Sequence, residues 1–464
     1  MSIKINYNNM MSSAIGDKGI TEKEYSSYAN FANVIHLKVQ TGRGNEMQGW
    51  MDSPYNQTEV VKRIKETAKR VRKSCEAFVV LGIGGSALGP IAAFTALKHL
   101  YYNELPRRVR KGPKFYVLDN VDPERMNALF DVIDVEKTIF NVISKSGATS
   151  ETMSQYLIVM DMLTKKLGDK AKDHIIATTS ESKGNLIKLA QKEGFETFYI
   201  PDGVGGRFSE LSPVGLLAAA VVGIDISKML KGARDMDKQC KKGNLWANPA
   251  LAMATLQYIS IKNGKNIGVI MPYADSLKYV ADWYAQIWAE SLGKEVDNDG
   301  NIVNVGQTPV KALGVTDQHS QVQLYNEGPY DKVITFIEVG SFRSNVTIPD
   351  GCKDFPDVNF LCGHSLEELM NSELYATRYA LTQRQRANYT IYLDTVDEYH
   401  IGALLYLLQM QTAYVGAMLN INAYNQPGVE GGKIATYALF GRKGYEAKAE
   451  EIRSAKPDDE KYII

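Results

Sequence analysis

The stretch from Ser144 to Thr152 carries several hydroxyl groups, one lysine and one glycine between two apolar segments. Residues 138–143 before it have the pattern of a buried strand, and the residues from Tyr156 onward have the pattern of an amphipathic helix. A helix N-terminus offers unpaired N–H groups and the positive end of the helix dipole, and a glycine lets the backbone approach a ligand closely. The stretch therefore has the chemistry of a phosphate cradle. The alternative is a Ser/Thr-rich loop that only caps the helix.

Two glycine-rich turns also follow predicted strands. Residues 82–89 contain Ser86 and satisfy the G-x-G-x-x-A form of a dinucleotide fingerprint. That fingerprint expects an acidic residue about 20 positions further on, whereas the next predicted strand ends later, at Asp119. We therefore favour a smaller phosphorylated or polyol ligand over a dinucleotide, the alternative being a turn without a ligand. The second turn, Gly205 to Arg207, places a guanidinium where it can stabilise a developing oxyanion or form a surface salt bridge.

Three residues from the second half of the chain could transfer protons. Glu290 lies late in a predicted helix, beside its apolar stripe, and partial burial there suits a general base. His319 begins a polar segment, and because no second histidine lies at metal-ligand spacing, proton transfer is favoured over zinc binding. Lys433 ends the Gly-rich segment that begins at Gln426. Each has an ordinary alternative: a solvated glutamate, a structural histidine and a plain loop lysine.

The elements that must position these groups form two alternating series. Strand-like and helix-like segments alternate over residues 78–200 and again over 266–419, which predicts two parallel sheets covered by helices. Because ligands bind beyond the carboxyl ends of parallel strands, both glycine-rich turns and the Ser144 loop are expected at one edge of the first sheet. The predicted boundaries are an N-terminal extension (1–55), a first domain (56–210), a helical connection (211–255), a second domain (256–430) and C-terminal helices (431–464).

The bulk composition excludes several classes of protein. A chain of 464 residues is too long for one ordinary core, so two or more domains are expected. The 53 basic residues equal the 53 acidic ones, so neither a nucleic-acid partner nor an anionic membrane is predicted. The four cysteines are scattered, which is typical of reduced thiols in the cytoplasm. We find no signal-peptide pattern and no apolar run that approaches the length of a membrane span, the longest being 214–222.

Five short motifs occur in one order between residues 50 and 445. They are GIGGS (82–86), SKSGATSET (144–152), VGGRFS (204–209), WAES (288–291) with DQHSQ (317–321), and NQPGVEGGK (425–433). Together they closely resemble the phosphoglucose isomerase family in its compact bacterial form. The resemblance implies an α/β fold of two sugar-isomerase (SIS) domains, each a parallel β-sheet flanked by helices, with helical N- and C-terminal extensions. It also implies a cytoplasmic homodimer with shared active sites and neither a metal nor a redox cofactor.

The chemistry implied by the resemblance is the reversible aldose–ketose isomerisation of glucose 6-phosphate and fructose 6-phosphate through a cis-enediolate, a step of glycolysis and gluconeogenesis. By resemblance Glu290 is the general base, and Arg207, beside Gly206, stabilises the enediolate. His319 and Lys433 assist ring opening, with His319 reaching the site of the partner subunit. The implied substrate and phosphate contacts are Ser86, Ser144, Lys145, Ser146, Thr149 and Gln426.

The sequence departs from the family pattern in a few places. Tyr424-Asn425 stands where many relatives have Phe-Asp, residues 296–299 have an unfamiliar sequence, and Gly147-Ala148 removes one hydroxyl from the phosphate loop. These changes leave open an added activity on mannose 6-phosphate. A non-catalytic sugar-phosphate-binding SIS protein and a nicotinamide-dependent dehydrogenase are two further hypotheses.

Overall fold

The computed structural model describes residues 3–45, 47–455 and 458–464, which form two five-stranded sheets and one small two-stranded sheet. The strands in these residues are β1 (Ile3–Asn6), β2 (Ala77–Leu81), β3 (Lys114–Leu118), β4 (Thr138–Ile143), β5 (Ile175–Ser180), β6 (Glu196–Ile200), β7 (Ile267–Pro272), β8 (Lys294–Val296), β9 (Ile302–Val305), β10 (Thr308–Lys311), β11 (Lys332–Ser341) and β12 (Asn388–Thr395). The α-helices in the same residues are α1 (Ser12–Ile15), α2 (Glu22–Ser27), α3 (Ala29–Thr41), α4 (Thr58–Ser74), α5 (Leu88–Leu97), α6 (Arg107–Arg110), α7 (Pro123–Val132), α8 (Ser150–Leu167), α9 (Asn185–Glu193), α10 (Pro213–Val221), α11 (Ile226–Cys240), α12 (Pro249–Lys262), α13 (Lys278–Leu292), α14 (Val322–Glu327), α15 (Pro356–Asn359), α16 (Leu366–Gln383), α17 (Glu398–Met418), α18 (Glu430–Leu439) and α19 (Glu446–Arg453).

The first sheet is parallel throughout and has the strand order β3-β2-β4-β5-β6. Local sequence explains where its crossover helices begin. Asp122 caps α7 by accepting from the N–H groups of Glu124 and Arg125, and Pro123 occupies the first turn. Likewise, Ser212 caps α10 ahead of Pro213. The predicted α/β class with parallel sheets is confirmed, and the strand predicted over residues 138–143 is β4.

The second sheet has the order β1-β12-β11-β7-β10 and is parallel except at one edge. Strand β1, from the N-terminal extension, pairs antiparallel with β12. No sequence motif predicts this pairing, since a four-residue strand has too little pattern to detect. At the other edge lies β10, which pairs parallel with β7 and ends at Lys311. The domain boundaries at 55, 210, 255 and 430 stay predictions.

The central strands of both large sheets are buried on both faces, as expected for parallel sheets between helices. Along β2, Phe78 and Val80 join the large core shared by the two sheets, whereas Val79 and Leu81 join a smaller core on the other face. Helix α10 is buried at every position, because it lies within the shared core.

Helix α17 corrects one expectation. The helix has 21 residues and contains an 18-residue window with a mean hydropathy of 1.2, so by length and composition it could cross a membrane, against the expectation that no run approaches that length. However, 94% of the apolar window is buried inside the structure. The helix packs against α11, α12 and α13, so its apolar character reflects its place in the core of the protein.

Helices α5 and α13 pack against each other and join the two halves of the chain. Helix α5 begins just after the glycine-rich turn that contains Ser86, and α13 carries Glu290 near its C-terminus. This packing brings the Ser86 turn, at the carboxyl edge of the first sheet, next to the helix that carries Glu290, more than 200 positions later in the sequence.

Candidate active site

The loop from Ser144 to Thr149 is organised by its own hydroxyl groups. Ser144 Oγ lies 3.0 Å from Thr149 Oγ1 and accepts a hydrogen bond from the Gly147 N–H at 3.0 Å. Ser146 Oγ accepts from the Ala148 N–H at 3.2 Å. Gly147 has a φ of +61°, a conformation that suits glycine. The loop leads into the N-terminus of α8, so its backbone and hydroxyl groups converge where a phosphate would be stabilised.

Lys145 ties this loop to the segment before Arg207. Its Nζ donates to the carbonyls of Asp202 and Val204 at 2.8 and 2.9 Å. Burial lowers the pKa of Lys145 from its ordinary value, although the carboxylate of Asp202 opposes that shift. In this structure the lysine therefore links two loops of the same sheet edge.

The two glycine-rich turns touch each other through their backbones. A Cβ atom added to Gly85 would overlap the backbone of Gly206. Ser86 and Arg207 follow these two glycines directly, so the contact sets the relative position of their turns. The prediction that the three loops share the carboxyl edge of the first sheet is confirmed by the strand order and directions.

Arg207 is the most highly connected side chain of this edge. It is 4% exposed, and its Nε donates to Ser291 Oγ at 2.8 Å. Its two terminal nitrogens donate to Glu290 Oε2 at 3.1 Å, to Gln426 Oε1 at 3.0 Å, and to the carbonyls of residues 423 and 425 at 2.6 and 3.1 Å. Burial lowers the pKa of Arg207, and the Glu290 carboxylate opposes that shift. The guanidinium thus joins the first sheet, α13 and the segment after α17.

Glu290 is held at both carboxylate oxygens. Oε1 accepts from Gln286 Nε2 at 2.9 Å, while Oε2 accepts from Arg207. The side chain remains 32% exposed, which leaves it accessible to a ligand. This carboxylate, held between two donors, can move a proton on a bound anion, and the buried cation beside it can stabilise the charge that develops.

His319 and Lys433 are not joined to this cluster. His319 is exposed in the loop after the short 3-10 turn of residues 316–318, and the described residues show no hydrogen bond to its ring. Lys433 is exposed in the first turn of α18, with its Nζ 2.7 Å from Glu430 Oε1. Helix α18 nevertheless lies near the site. Tyr437 donates to the Ala148 carbonyl at 3.3 Å, within the loop of residues 144–149, which we call the phosphate-type loop. Gln426 precedes the helix.

Three residues of the site were missed from the sequence: Gln286, Ser291 and Lys294. Gln286 precedes Glu290 by four positions, a spacing that places both on one face of a helix and could have revealed it. Its amide nitrogen also lies under Gly84, where a Cβ atom would crowd it at 2.9 Å. Ser291 lies on the apolar stripe of the helix and gave no chemical signal. Lys294 lies beyond the helix end and donates to the carbonyls of Glu290 and Ser291.

Comparisons with known proteins agree with this geometry. The sequence profile of the family described as phosphoglucose isomerase matches residues 52–448. The chain is 50% identical to a glucose-6-phosphate isomerase of Carboxydothermus hydrogenoformans over 458 residues, 99% of each chain. It is 45% identical to a glucose-6-phosphate isomerase of Rubrobacter xylanophilus over 385 residues, 82% of this chain and 87% of that one.

Solved structures show the same fold. A hypothetical protein of Thermus thermophilus matches with a TM-score of 0.85 and 33% identity, over 95% of this chain and 100% of that one. A glucose-6-phosphate isomerase of Chlamydia trachomatis matches with a TM-score of 0.81 over 97% of this chain and 92% of that one; at 20% identity it shows the fold alone. The predicted resemblance and the isomerase class are confirmed, and the dehydrogenase hypothesis is not supported. The chain belongs to the phosphoglucose isomerase family.

Proposed function

We propose that this chain interconverts glucose 6-phosphate and fructose 6-phosphate through a cis-enediolate, the general isomerase step of glycolysis and gluconeogenesis. Glu290 removes the proton from C2 of the open-chain aldose, and the electrons of that C–H bond form the C1–C2 double bond. The π electrons of the C1 carbonyl move to O1 in the same step, which gives the enediolate. The same carboxyl group then returns the proton to C1 while the O2 hydroxyl proton passes to O1, so that a carbonyl forms at C2 and the ketose results. The observation that carries the proposal is the 3.1 Å contact between Glu290 and the buried guanidinium of Arg207, next to the phosphate-type loop.

Arg207 stabilises the negative charge of the enediolate. Its guanidinium is already oriented by five neighbours, so little reorganisation is needed when that charge develops. Gly206 and Gln426 form the surroundings of this guanidinium in the proposed site.

Ser144, Ser146 and Thr149 hold the substrate phosphate at the start of α8, with Lys145 adding positive charge and Ser86 contacting the sugar. Support comes from the convergence of the hydroxyl groups at a helix N-terminus. Fixing a phosphate that does not react supplies binding energy that orients the reacting carbons.

His319 and Lys433 open the sugar ring, and His319 acts in the site of a second copy of the chain. The support is that His319 is exposed and that, among the described residues, the hydrogen bonds of Glu290 and Arg207 do not include it. We therefore propose a homodimer with shared active sites. A cytoplasmic location is favoured by the free cysteines at 75, 240, 352 and 362, which suit a reducing compartment.

The central experiment is a coupled assay of fructose 6-phosphate conversion with Glu290→Gln. We expect kcat to fall by about 10²–10⁴-fold, because the amide cannot accept the proton, while the KM stays close to that of the wild type. The matched control is Glu295→Gln, an exposed carboxylate five residues on, which should leave the rate unchanged. A Glu290→Gln enzyme with a near wild-type kcat would contradict the role of Glu290. Repeating the assay with mannose 6-phosphate measures the breadth of the substrate range.

A second experiment tests the shared site. Co-expression of His319→Ala with Glu290→Gln should recover roughly a quarter of wild-type activity, since half of randomly formed dimers are mixed and each has one intact site. A mixture no more active than its two parents would show that His319 acts within its own chain.

A further inference from the structure

The C-terminal end of α13 is capped by a buried lysine from the next strand. Lys294, the first residue of β8, is 7% exposed. Its Nζ donates to the carbonyl of Glu290 at 2.6 Å and to the carbonyl of Ser291 at 3.0 Å. The last carbonyls of a helix have no partner within the helix, and a cation there also interacts favourably with the negative end of the dipole.

The two residues that Lys294 holds by their backbones are also the two on α13 that hold Arg207 by their side chains. Glu290 Oε2 and Ser291 Oγ accept from the guanidinium at 3.1 and 2.8 Å. A movement of this last helical turn would therefore displace the carboxylate relative to the guanidinium.

We infer that Lys294 is a positioning residue of the isomerase: its ammonium group fixes the last turn of α13 and thereby the position of the Glu290 carboxylate relative to the guanidinium of Arg207. The inference depends on the proposed role of Glu290 as the base. Lys294 acts through Glu290 and needs no contact with the substrate.

The charged groups that face Lys294 come from two elements. Glu290 lies on α13, and Arg207 lies on the turn that precedes α10. From β9, the residue paired with Lys294 is the apolar Val305. Tyr424, on the segment after α17, interacts with Arg207. Burial and the nearby guanidinium lower the pKa of Lys294 to about 8, and the Glu290 carboxylate opposes this shift. The lysine is thus charged at neutral pH and loses its charge under mildly alkaline conditions.

The test compares the pH profiles of kcat/KM for the wild type, Lys294→Met and Lys294→Arg. In Lys294→Met, we expect kcat at neutral pH to fall by roughly 10–100-fold, because the last turn of α13 is no longer fixed and the carboxylate shifts relative to the guanidinium. A wild-type alkaline limb near pH 8 should disappear in this variant. Lys294→Arg should restore much of kcat and move the alkaline limb to higher pH, since a guanidinium keeps its charge. In Lys294→Met, kcat should change more than KM.

The control is Lys311→Met. Lys311 forms an ion pair with Asp282 on the same helix at 2.5 Å but is half-exposed on β10. Its loss should leave kcat and the alkaline limb unchanged. An alkaline limb that remains in Lys294→Met would overturn the inference whatever the rate of that variant, and if the variant does not fold, an unmoved alkaline limb in Lys294→Arg would do the same. Absence of turnover in the wild type would overturn the proposed function as well, whereas normal wild-type turnover with an unmoved alkaline limb would remove the role of Lys294 alone.

Discussion

The Arg207–Glu290 cluster and the His319–Lys433 pair belong to one proposed site but differ in how the single chain holds them. Arg207 is almost completely buried and donates to five acceptors, and both oxygens of Glu290 are occupied. His319 and Lys433 are exposed, and the only side-chain bond to either within the described residues is from Lys433 to Glu430.

This difference separates a preorganised part of the site from a part that binding or assembly must complete. Groups that stabilise charge in a transition state act best when their surroundings hold them in place beforehand. Groups that act on the closed sugar ring before isomerisation can be supplied later, by a second copy of the chain or by movement of α18. Substitutions in the two regions should therefore have different consequences for folding.

The largest effect is expected from Arg207→Lys. An ammonium group cannot reproduce the forked contacts to Ser291, Glu290 and Gln426, so we expect kcat to fall by about 10³-fold and the melting temperature to fall as well. Steady-state kinetics and calorimetry measure the two effects. A variant that retains its thermal stability would show that the guanidinium contributes little to folding, and the contrast between the two regions would disappear.

A smaller loss is expected from His319→Ala and from Lys433→Ala. Each should lower kcat by about 10²-fold because a proton-transfer group is lost. Neither should change the melting temperature, because exposed side chains without buried contacts contribute little to stability. Assays starting from open-chain and ring-closed substrate would separate ring opening from isomerisation. A marked loss of thermal stability in either variant would contradict the assignment of these two residues to the exposed part of the site, which binding or assembly must complete.

The smallest effect is expected at Glu210, three residues after Arg207, and it concerns stability alone. This carboxyl is 1% exposed, neither oxygen has a hydrogen-bond partner among the described residues, and the side chain packs against Gly89 and Gly215. Burial raises the pKa of Glu210 well above its usual value. Because the folded pKa lies above the unfolded one, the stability contribution is complete below the unfolded pKa and is lost as pH rises through the folded pKa.

Replacement of Glu210 by glutamine (Glu210→Gln) should remove this loss of folding stability at rising pH, because an amide does not ionise. Between the unfolded and folded pKa values, the wild type should lose about 1.4 kcal/mol of unfolding free energy per pH unit relative to the variant. Denaturant unfolding from pH 4 to pH 8 measures the difference, with the exposed Glu181→Gln as control. If the free energies of unfolding of the wild type and Glu210→Gln changed with pH in the same way, the prediction would be contradicted.

Much of the architecture follows from local patterns. The alternation of apolar strands and amphipathic helices predicts two α/β units, and the strand predicted over residues 138–143 has the observed limits of β4. The strand-to-loop order alone places Ser86, the Ser144 loop and Arg207 at one edge, because the carboxyl ends of parallel strands share an edge. The order of the motifs identifies the family.

Other features depend on contacts between distant segments, which no local pattern records. The antiparallel pairing of β1 with β12 joins residues nearly 400 positions apart. The contacts of Arg207 with Glu290 and Gln426 arise because α5 packs on α13 and because the segment after α17 returns to the first sheet. The burial of Glu210 and the position of Lys294 beside the end of α13 also arise from this packing.

The amino-acid sequence alone thus specifies which groups can bind a phosphate and move a proton, because these are properties of residue types and helix ends. It does not specify which of those groups a single chain holds together. That outcome follows from the folded arrangement, because burial and hydrogen bonding depend on packing across the whole molecule.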